Sequence, residues 1–388
     1  MTGGGVRRLR RPPTVSTPQF DLAYVRSGPR TATPTVVIPG GPGLGSLLPY
    51  RGLRRIAAQG DLDVIMVEHR GVGRSRTDFA GRPLPQAAMT IIDVLDDLAA
   101  VLDAEGVERA FIAGSSYGSY LASAFGVRHP DRVAGILLDS ALQSTHDLEI
   151  ERSVIRGLFW EGDGEVAEHV RALVAGGADE RRLLDVIRAA WELGGEPLLL
   201  PLLRARRRDR WDAVWHALEL SATRDASIAR IPGVYEFDIV GAIGFRELHY
   251  APQPDGLPLD PALTYAPSAS RFPAFAGEPF DLTAATAGFD WPMVVLSGDR
   301  DLRTPPAIAR RVVDLAPDAV LVSIENGHSA LDTHPVAFLN AARALSRGLQ
   351  HGLPAVVARL DRMPRLGISA RLPQLLQAGL RVEAAIRP

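Results

Sequence analysis

The 388-residue chain contains no cysteine and no lysine. Without cysteine there is no disulfide, no thiol nucleophile and no thiolate metal site. Without lysine every fixed positive charge is an arginine, which together with abundant Ala, Gly and Pro suggests a GC-rich genome and says nothing of function. Aromatic residues are scarce at 6%. No apolar run approaches the length of a membrane span, the longest being strand-sized. Met1 to Pro13 carries arginines with no apolar segment after them, so the expectation is a cytoplasmic protein with no secretory leader. The formal net charge of −2 gives no electrostatic case for nucleic acid, and the basic stretch Arg204 to Arg210 is expected to be a solvated helix face. No internal repeat is visible. With 46% apolar and 23% charged residues, the chain is long enough for an ample core.

What is present is a series of short apolar runs, each ending in a distinctive loop. Ala110-Phe111-Ile112-Ala113 runs directly into Gly114-Ser115-Ser116-Tyr117-Gly118, and a plausible helix follows from Ser119. Gly-x-Ser-x-Gly between a strand and a helix is the pattern of a nucleophile elbow. The turn is so tight that Gly114 and Gly118 must lack side chains, and it forces Ser116 into strained backbone with its hydroxyl exposed. Thr35–Ile38 leads to Pro39-Gly40-Gly41-Pro42-Gly43. Asp63–Val67 leads to Glu68-His69-Arg70-Gly71-Val72-Gly73-Arg74-Ser75. Met293–Ser297 leads to Gly298-Asp299-Arg300-Asp301, and Ala319–Ile324 to Glu325-Asn326-Gly327-His328.

Serine, acid and histidine thus follow in chain order, each past the carboxyl end of a strand, which is the order used by the α/β-hydrolase fold. A serine hydroxyl needs a base, and His328 is the candidate, as general base and then general acid. His334, before Pro335, has the look of a helix-start residue. Asp301 is preferred over Asp299 to orient the imidazole, because Gly-x-x-Asp places it in the loop beyond the strand. An oxyanion would need two backbone N–H donors. Tyr117, after the serine, is one candidate and Gly41 the other, since Pro42 has no N–H.

Gly41-x-Gly43 with Glu68 at the next strand end could pass for a dinucleotide fingerprint. Ser46 stands where the third glycine belongs, and Pro42 removes a donor, so no cofactor and no metal are expected. Ser116 argues against hydrolases that attack with a carboxylate.

Taken together, these segments resemble the proline iminopeptidase and tripeptidyl aminopeptidase group of α/β-hydrolases over about residues 20–350. The shared features are the Gly-Gly-Pro-Gly loop at Gly40–Gly43, the segment Glu68–Ser75 with Glu in place of Asp, the elbow, and the acid loop through Thr304-Pro305. Pro39 stands where iminopeptidases have His, which is more similar to the tripeptidyl aminopeptidase branch. The resemblance implies a serine hydrolase acting through an acyl-enzyme, releasing N-terminal residues from short peptides. An esterase, lactonase or thioesterase with the same residues is the alternative. Arg246-Glu247-Leu248-His249-Tyr250 resembles the family's Glu-Asn-His-Tyr stretch, which implies that Glu247 binds the free α-amino group of the substrate. Its bland alternative is a solvated helix glutamate.

Alternation of strands and helices implies a mostly parallel sheet covered on both faces. Ile91, Leu95, Leu98 and Leu102 fall at helical spacing and predict a covering helix. The expected organisation is a disordered tail over 1–18, a first core part over 19–142, a large, mainly helical cap over 143–288, a second core part over 289–350, and a helical extension over 351–388. That extension could pack on the cap or form a dimer contact. The expected partner is a small molecule or short peptide with a free amino terminus, with neither nucleic acid nor membrane.

Overall fold

A computed structural model describes residues 5–208, 213–222, 230–366 and 371–386. Ten strands are present among these: β1 Arg7–Arg11, β2 Phe20–Ser27, β3 Thr35–Ile38, β4 Val64–Val67, β5 Ala110–Ser115, β6 Val133–Asp139, β7 Arg230–Ile231, β8 Tyr235–Glu236, β9 Met293–Gly298 and β10 Ala319–Ile324. Eight of them form one sheet in the order β1-β2-β4-β3-β5-β6-β9-β10. β2 runs antiparallel to both β1 and β4, and every pairing from β4 through β10 is parallel.

Strands buried on both faces should place alternate side chains in two different cores. They do. Val36, Ile38, Ile65, Ile112, Ile136 and Val295 enter one hydrophobic cluster, while Val37, Val64, Met66, Ala113, Leu137 and Val294 enter the other. Helices α1 (Arg51–Gln59), α2 (Ile91–Ala104) and α3 (Tyr117–Arg128) join the first strands. α2 begins where Thr90 accepts a hydrogen bond from Asp93 N–H, a side-chain N-cap. Its Ile91, Leu95, Leu98 and Leu102 are all buried.

Between β6 and β9 the chain leaves the sheet. It forms α4 (Asp147–Phe159), α5 (Glu165–Ala175), α6 (Glu180–Gly194), α7 (Glu196–Arg207), α8 (Ala213–Ala222), the β7–β8 hairpin, α9 (Phe237–Glu247), 3-10 turns in the proline-rich stretch, and α10 (Leu282–Thr286). Helices α4 to α8 share a hydrophobic cluster of their own, with Ile155, Phe159, Ile187 and Leu199 at its centre. The basic stretch closes α7 at Arg207, and residues 209 and 210 lie outside the described residues. After β9 come α11 (Pro306–Leu315), α12 (Ala330–Thr333), α13 (Pro335–Ser346), α14 (Val357–Asp361) and α15 (Leu372–Ile386). α14 lies against β10 and α13, whereas α15 puts Leu376 and Leu380 into the cap cluster. The C-terminal extension therefore touches both the sheet and the cap.

The N-terminal tail corrects the expectation of disorder. Residues 1–4 are outside the described set, but Arg7–Arg11 pair in register with Phe20–Tyr24 as the edge strand. The arginines that made this segment look unstructured have partners: Arg11 Nε donates to Asp97 Oδ1 at 2.8 Å, and Arg7 donates to Glu105.

The order β4-β3-β5 is where the winding of the sheet reverses. Connections leave β3 and β5 in opposite directions, and this opens a crevice at their carboxyl ends, the preferred ligand position of open α/β sheets. Beside it, Arg70 spans Asp97 with Nε and Nη2 at 2.8 and 2.9 Å, both side chains buried. Removing Asp97 leaves the buried Arg70 guanidinium with only the partly exposed Asp93 carboxylate, 3.3 Å away. We expect Asp97→Ala to lower unfolding free energy by about 3–5 kcal/mol in urea titrations. Asp96→Ala, which breaks the exposed pair with Arg128, should cost about 1 kcal/mol or less.

Candidate active site

β5 ends at Ser115, and Ser116 turns the chain into α3 with φ 55° and ψ −121°, a conformation that non-glycine residues rarely adopt. The flanking glycines make that turn possible. A Cβ on Gly114 would lie 1.9 Å from the Gly118 carbonyl oxygen, and one on Gly118 would lie 2.2 Å from the Ile38 oxygen. Ser116 is thereby presented at the crevice, next to the loop that follows β3. A Cβ on Gly40 would sit 3.2 Å from that of Ser116.

His328 Nε2 lies 2.9 Å from Ser116 Oγ, and its Nδ1 lies 3.0 and 3.1 Å from the two oxygens of Asp301. Asp301 is in turn fixed by Arg303 N–H and Thr304 N–H, each at 3.0 Å, and by Thr304 Oγ1 at 2.8 Å. Burial pushes the Asp301 carboxyl up, but the His328 imidazole and the hydrogen bonds from Thr304 and Ser140 outweigh it and hold the group below its ordinary range. Burial likewise pushes His328 down, and Asp301 outweighs it, so the imidazole is raised above its usual value of 6.5. Asp299 faces elsewhere, accepting from Asn326 N–H at 2.9 Å and pairing with Arg300. His334 is buried at the start of α13, away from the serine.

The loop carrying His328 is tied down from behind. Ser329 has φ 64°, donates its N–H to Ser140 Oγ at 2.8 Å, and shares a hydroxyl contact of 2.8 Å with Ser115. Asp139, at the end of β6, accepts from the Ala330 and Leu331 N–H groups at 3.0 and 2.9 Å. Burial drives its carboxyl up to about 6 despite these bonds. On the other side of the elbow, His69 Nε2 meets the Tyr117 hydroxyl at 3.1 Å and Nδ1 meets the Arg70 carbonyl at 2.5 Å. The carbonyl needs Nδ1 protonated, and in the neutral ring Nε2 then accepts from the tyrosine hydroxyl. Burial lowers His69 to about 4.

Ser116, His328, Gly40 and Gly41 line a cavity of about 470 Å³ roofed by the cap. One wall is aromatic, with Tyr235, Phe237, Tyr250, Tyr265 and Phe272. The other carries Glu151, Arg188 and Arg303. Glu151 receives Arg188 Nη1 at 2.9 Å, and burial raises its carboxyl to about 7 even against the pull of Arg188 and Arg303. Gly41 lines the same cavity, and Tyr117, next to Ser116, opens α3, where helix amides lack intrahelical acceptors.

Glu247 is not brought to this cavity. Its carboxylate accepts from Ile91 N–H at 2.7 Å, at the first turn of α2, and pairs with Arg246. A buried helix N-terminus offers unpaired donors that attract a carboxylate, and this one has taken Glu247. The short motif carries no sign of that competition. Sequence reasoning also missed Glu151, one acid among many on a helix, and His69, Ser140 and Tyr250. Thr304 had a legible signal, an Asp followed three residues later by a hydroxyl residue.

Among the described residues no group of His, Asp and Glu side chains is placed to hold a metal ion, and no helix is long and apolar enough to cross a membrane. Residues 33–335 match the family model for the alpha/beta hydrolase fold. A probable proline iminopeptidase of Leptolyngbya boryana is 30% identical over 120 residues, which is 30% of this chain and 34% of that protein. A putative carbamate hydrolase RutD of Caulobacter sp. (strain K31) is 30% identical over 148 residues, 38% of this chain and 52% of that one. The matches thus span about a third to a half of the curated relatives. The solved structure of VinJ superposes with a TM-score of 0.51 at 18% identity, covering 88% of this chain and 99% of its own. The chain belongs to the α/β-hydrolase family.

The two histidines should titrate far apart in imidazole NMR: His328 above 6.5, His69 near 4. Their linkage to stability has opposite sign. The contribution of charged His328 is complete below 6.5 and is lost as pH rises through its folded value. The contribution of neutral His69 is complete above 6.5 and is lost as pH falls toward about 4. Coincident titration of both rings near 6.5 would contradict this geometry.

Proposed function

We propose that this α/β-hydrolase is a serine hydrolase whose Ser116, His328 and Asp301 act as a catalytic triad through an acyl-enzyme. The observation that carries the reading is the unbroken chain of contacts from Ser116 Oγ through His328 to Asp301 at the floor of a substrate-sized cavity. His328 Nε2 takes the serine proton as Oγ attacks the acyl carbon. The N–H groups of Gly41 and Tyr117 stabilise the oxyanion, and His328 then protonates the leaving group as the tetrahedral species collapses. Water repeats the cycle: His328 deprotonates it, it attacks the ester, and the serine recovers its proton. Asp301, held below its ordinary range, stays ionised throughout and keeps Nδ1 protonated.

Within that chemistry the favoured activity is that of an aminopeptidase releasing N-terminal residues from short peptides. Its support is the likeness to proline iminopeptidases and an acidic side chain on the cavity wall. With Glu247 engaged by α2, we assign the substrate ammonium to Glu151 on the cavity wall, which would release Arg188 to take it. A second reading, an esterase, lactonase or thioesterase using the same serine, draws on that diversion of Glu247.

Ser116→Ala should abolish fluorophosphonate labelling and lower turnover on the order of 10⁶-fold. Asp301→Asn should cost roughly 10⁴-fold by favouring the wrong tautomer. Prolyl and other aminoacyl p-nitroanilides, their N-acetyl forms and simple p-nitrophenyl esters, assayed side by side, separate the two activities. Free-amine substrates should lead, and Glu151→Gln should raise their KM while leaving N-acetyl substrates nearly unaffected. Equal cleavage of blocked and unblocked substrates by the wild type would leave the esterase reading.

The rate should also fall on the acid side, with its midpoint above 6.5, because charged His328 cannot accept a proton. An acid limb centred well below 6.5 would place the base elsewhere.

A further inference from the structure

The loop after β3 forms no regular element, so its backbone groups must find partners outside it. Ser46 and Leu47 donate their N–H groups to the buried Glu68 carboxylate at 2.6 and 3.0 Å. Arg54 of α1 donates to the Ser46 and Leu47 carbonyls at 2.7 and 2.6 Å, and further ties run to the cap. Gly45 N–H donates to Val234 O at 2.9 Å, Glu236 N–H donates to Gly43 O at 2.8 Å, and the Tyr250 hydroxyl donates to Gly41 O at 3.1 Å. Glu236 also accepts from Gly73 N–H at 2.5 Å, which joins the cap hairpin to the neighbouring loop.

Gly41 has φ +131°, and a Cβ there would fall 2.6 Å from Gly43 N. A residue with no side chain in that region of backbone space has no packing of its own to fix its peptide planes. Among the described residues, Tyr250 Oη reaches it from the cap. The Tyr250 ring is itself held firmly, stacked on Tyr265 with centroids 4.8 Å apart and seated over Gly244, where a Cβ would lie 2.7 Å from the ring. The same ring lines the cavity beside Ser116.

We propose that Tyr250 is a positioning residue: its hydroxyl holds Gly41 in place as oxyanion donor while its ring faces the acyl group. A substrate acyl group thus seats against the same fixed ring that sets the donor loop. Discrimination between acyl groups is then expressed in turnover as well as in affinity. This role rests on the serine-hydrolase reading above.

Tyr250→Phe in the full-length protein keeps the ring and removes the tie to Gly41. It should lower kcat about 10- to 100-fold, the range expected when a donor is misplaced rather than deleted, with KM changed less than twofold. Affinity for phenylboronic acid, which forms a tetrahedral adduct with the serine, should fall by the same factor as kcat. The acid-limb midpoint should stay in place, since Ser116, His328 and Asp301 are untouched. Unchanged kcat, a loss confined to KM, or full boronate affinity alongside reduced kcat would each overturn the role. Wild-type protein that forms no boronate adduct at Ser116 would instead remove the serine-hydrolase reading on which the role rests.

Discussion

How closely the backbone of α3 can approach the end of β3 decides whether the cavity floor exists. Gly118 lies where any side chain would strike the Ile38 and Pro39 carbonyl oxygens, at 2.2 and 2.6 Å from a notional Cβ. That contact draws the first turn of the helix against the neighbouring strand and tilts Ser116 into its strained geometry. It also puts the Tyr117 amide beside the glycine loop. The rest of the site is arranged around this fixed point. Ser140 and Ser329, with φ of 53° and 64°, hold the histidine loop against it from the β6 side. Strain at three serines is maintained by a hydrogen-bonded shell that leaves those loops little freedom.

A chain without lysine must build its buried ion pairs from guanidinium groups, and the structure uses their planar fork repeatedly. Arg70 grips Asp97 and Arg152 grips Asp260 in the interior, and Arg156 grips the more exposed Asp255, each with two nitrogens on one carboxylate. Arg26 does the same to Asp63. An ammonium would be a single point charge at such positions and would leave carboxylate lone pairs unmatched. Two of these clamps, on Arg152 and Arg156, fasten α4 to the proline-rich stretch that closes the cap. Irregular backbone there is ordered by charge-assisted bonds where regular structure is absent.

The sheet was legible because its strands carry two overlapping apolar alternations, and each ends in a loop rich in glycine or aspartate. Those loops also made Ser116, Asp301 and His328 recognisable, since their positions follow from strand ends and chain order. What escaped notice depends on partners distant in sequence. Arg7–Arg11 reads as a solvated tail until Asp97 and Glu105 are placed beside it. Glu247 reads as a substrate ligand until the first turn of α2 is placed beside it. Glu151 reads as one helix acid among many until α4 brings it to the cavity that also holds Ser116. Local pattern specifies strands and turns; side-chain pairing across the cap is a tertiary property with no local trace.

The outermost strand of the sheet, β1, is four arginines around a single leucine. An open strand edge is a template on which another chain could extend the sheet, and charge is the usual means of discouraging it. Each of the four is held in an ion pair, with Glu105, Asp21 or Asp97, so a second molecule approaching edge-on would have to desolvate these charged side chains. At the far side, β10 has α14 beside it. Both borders of an eight-stranded sheet thus carry features that discourage growth, paired charged side chains at one and a helix beside the other.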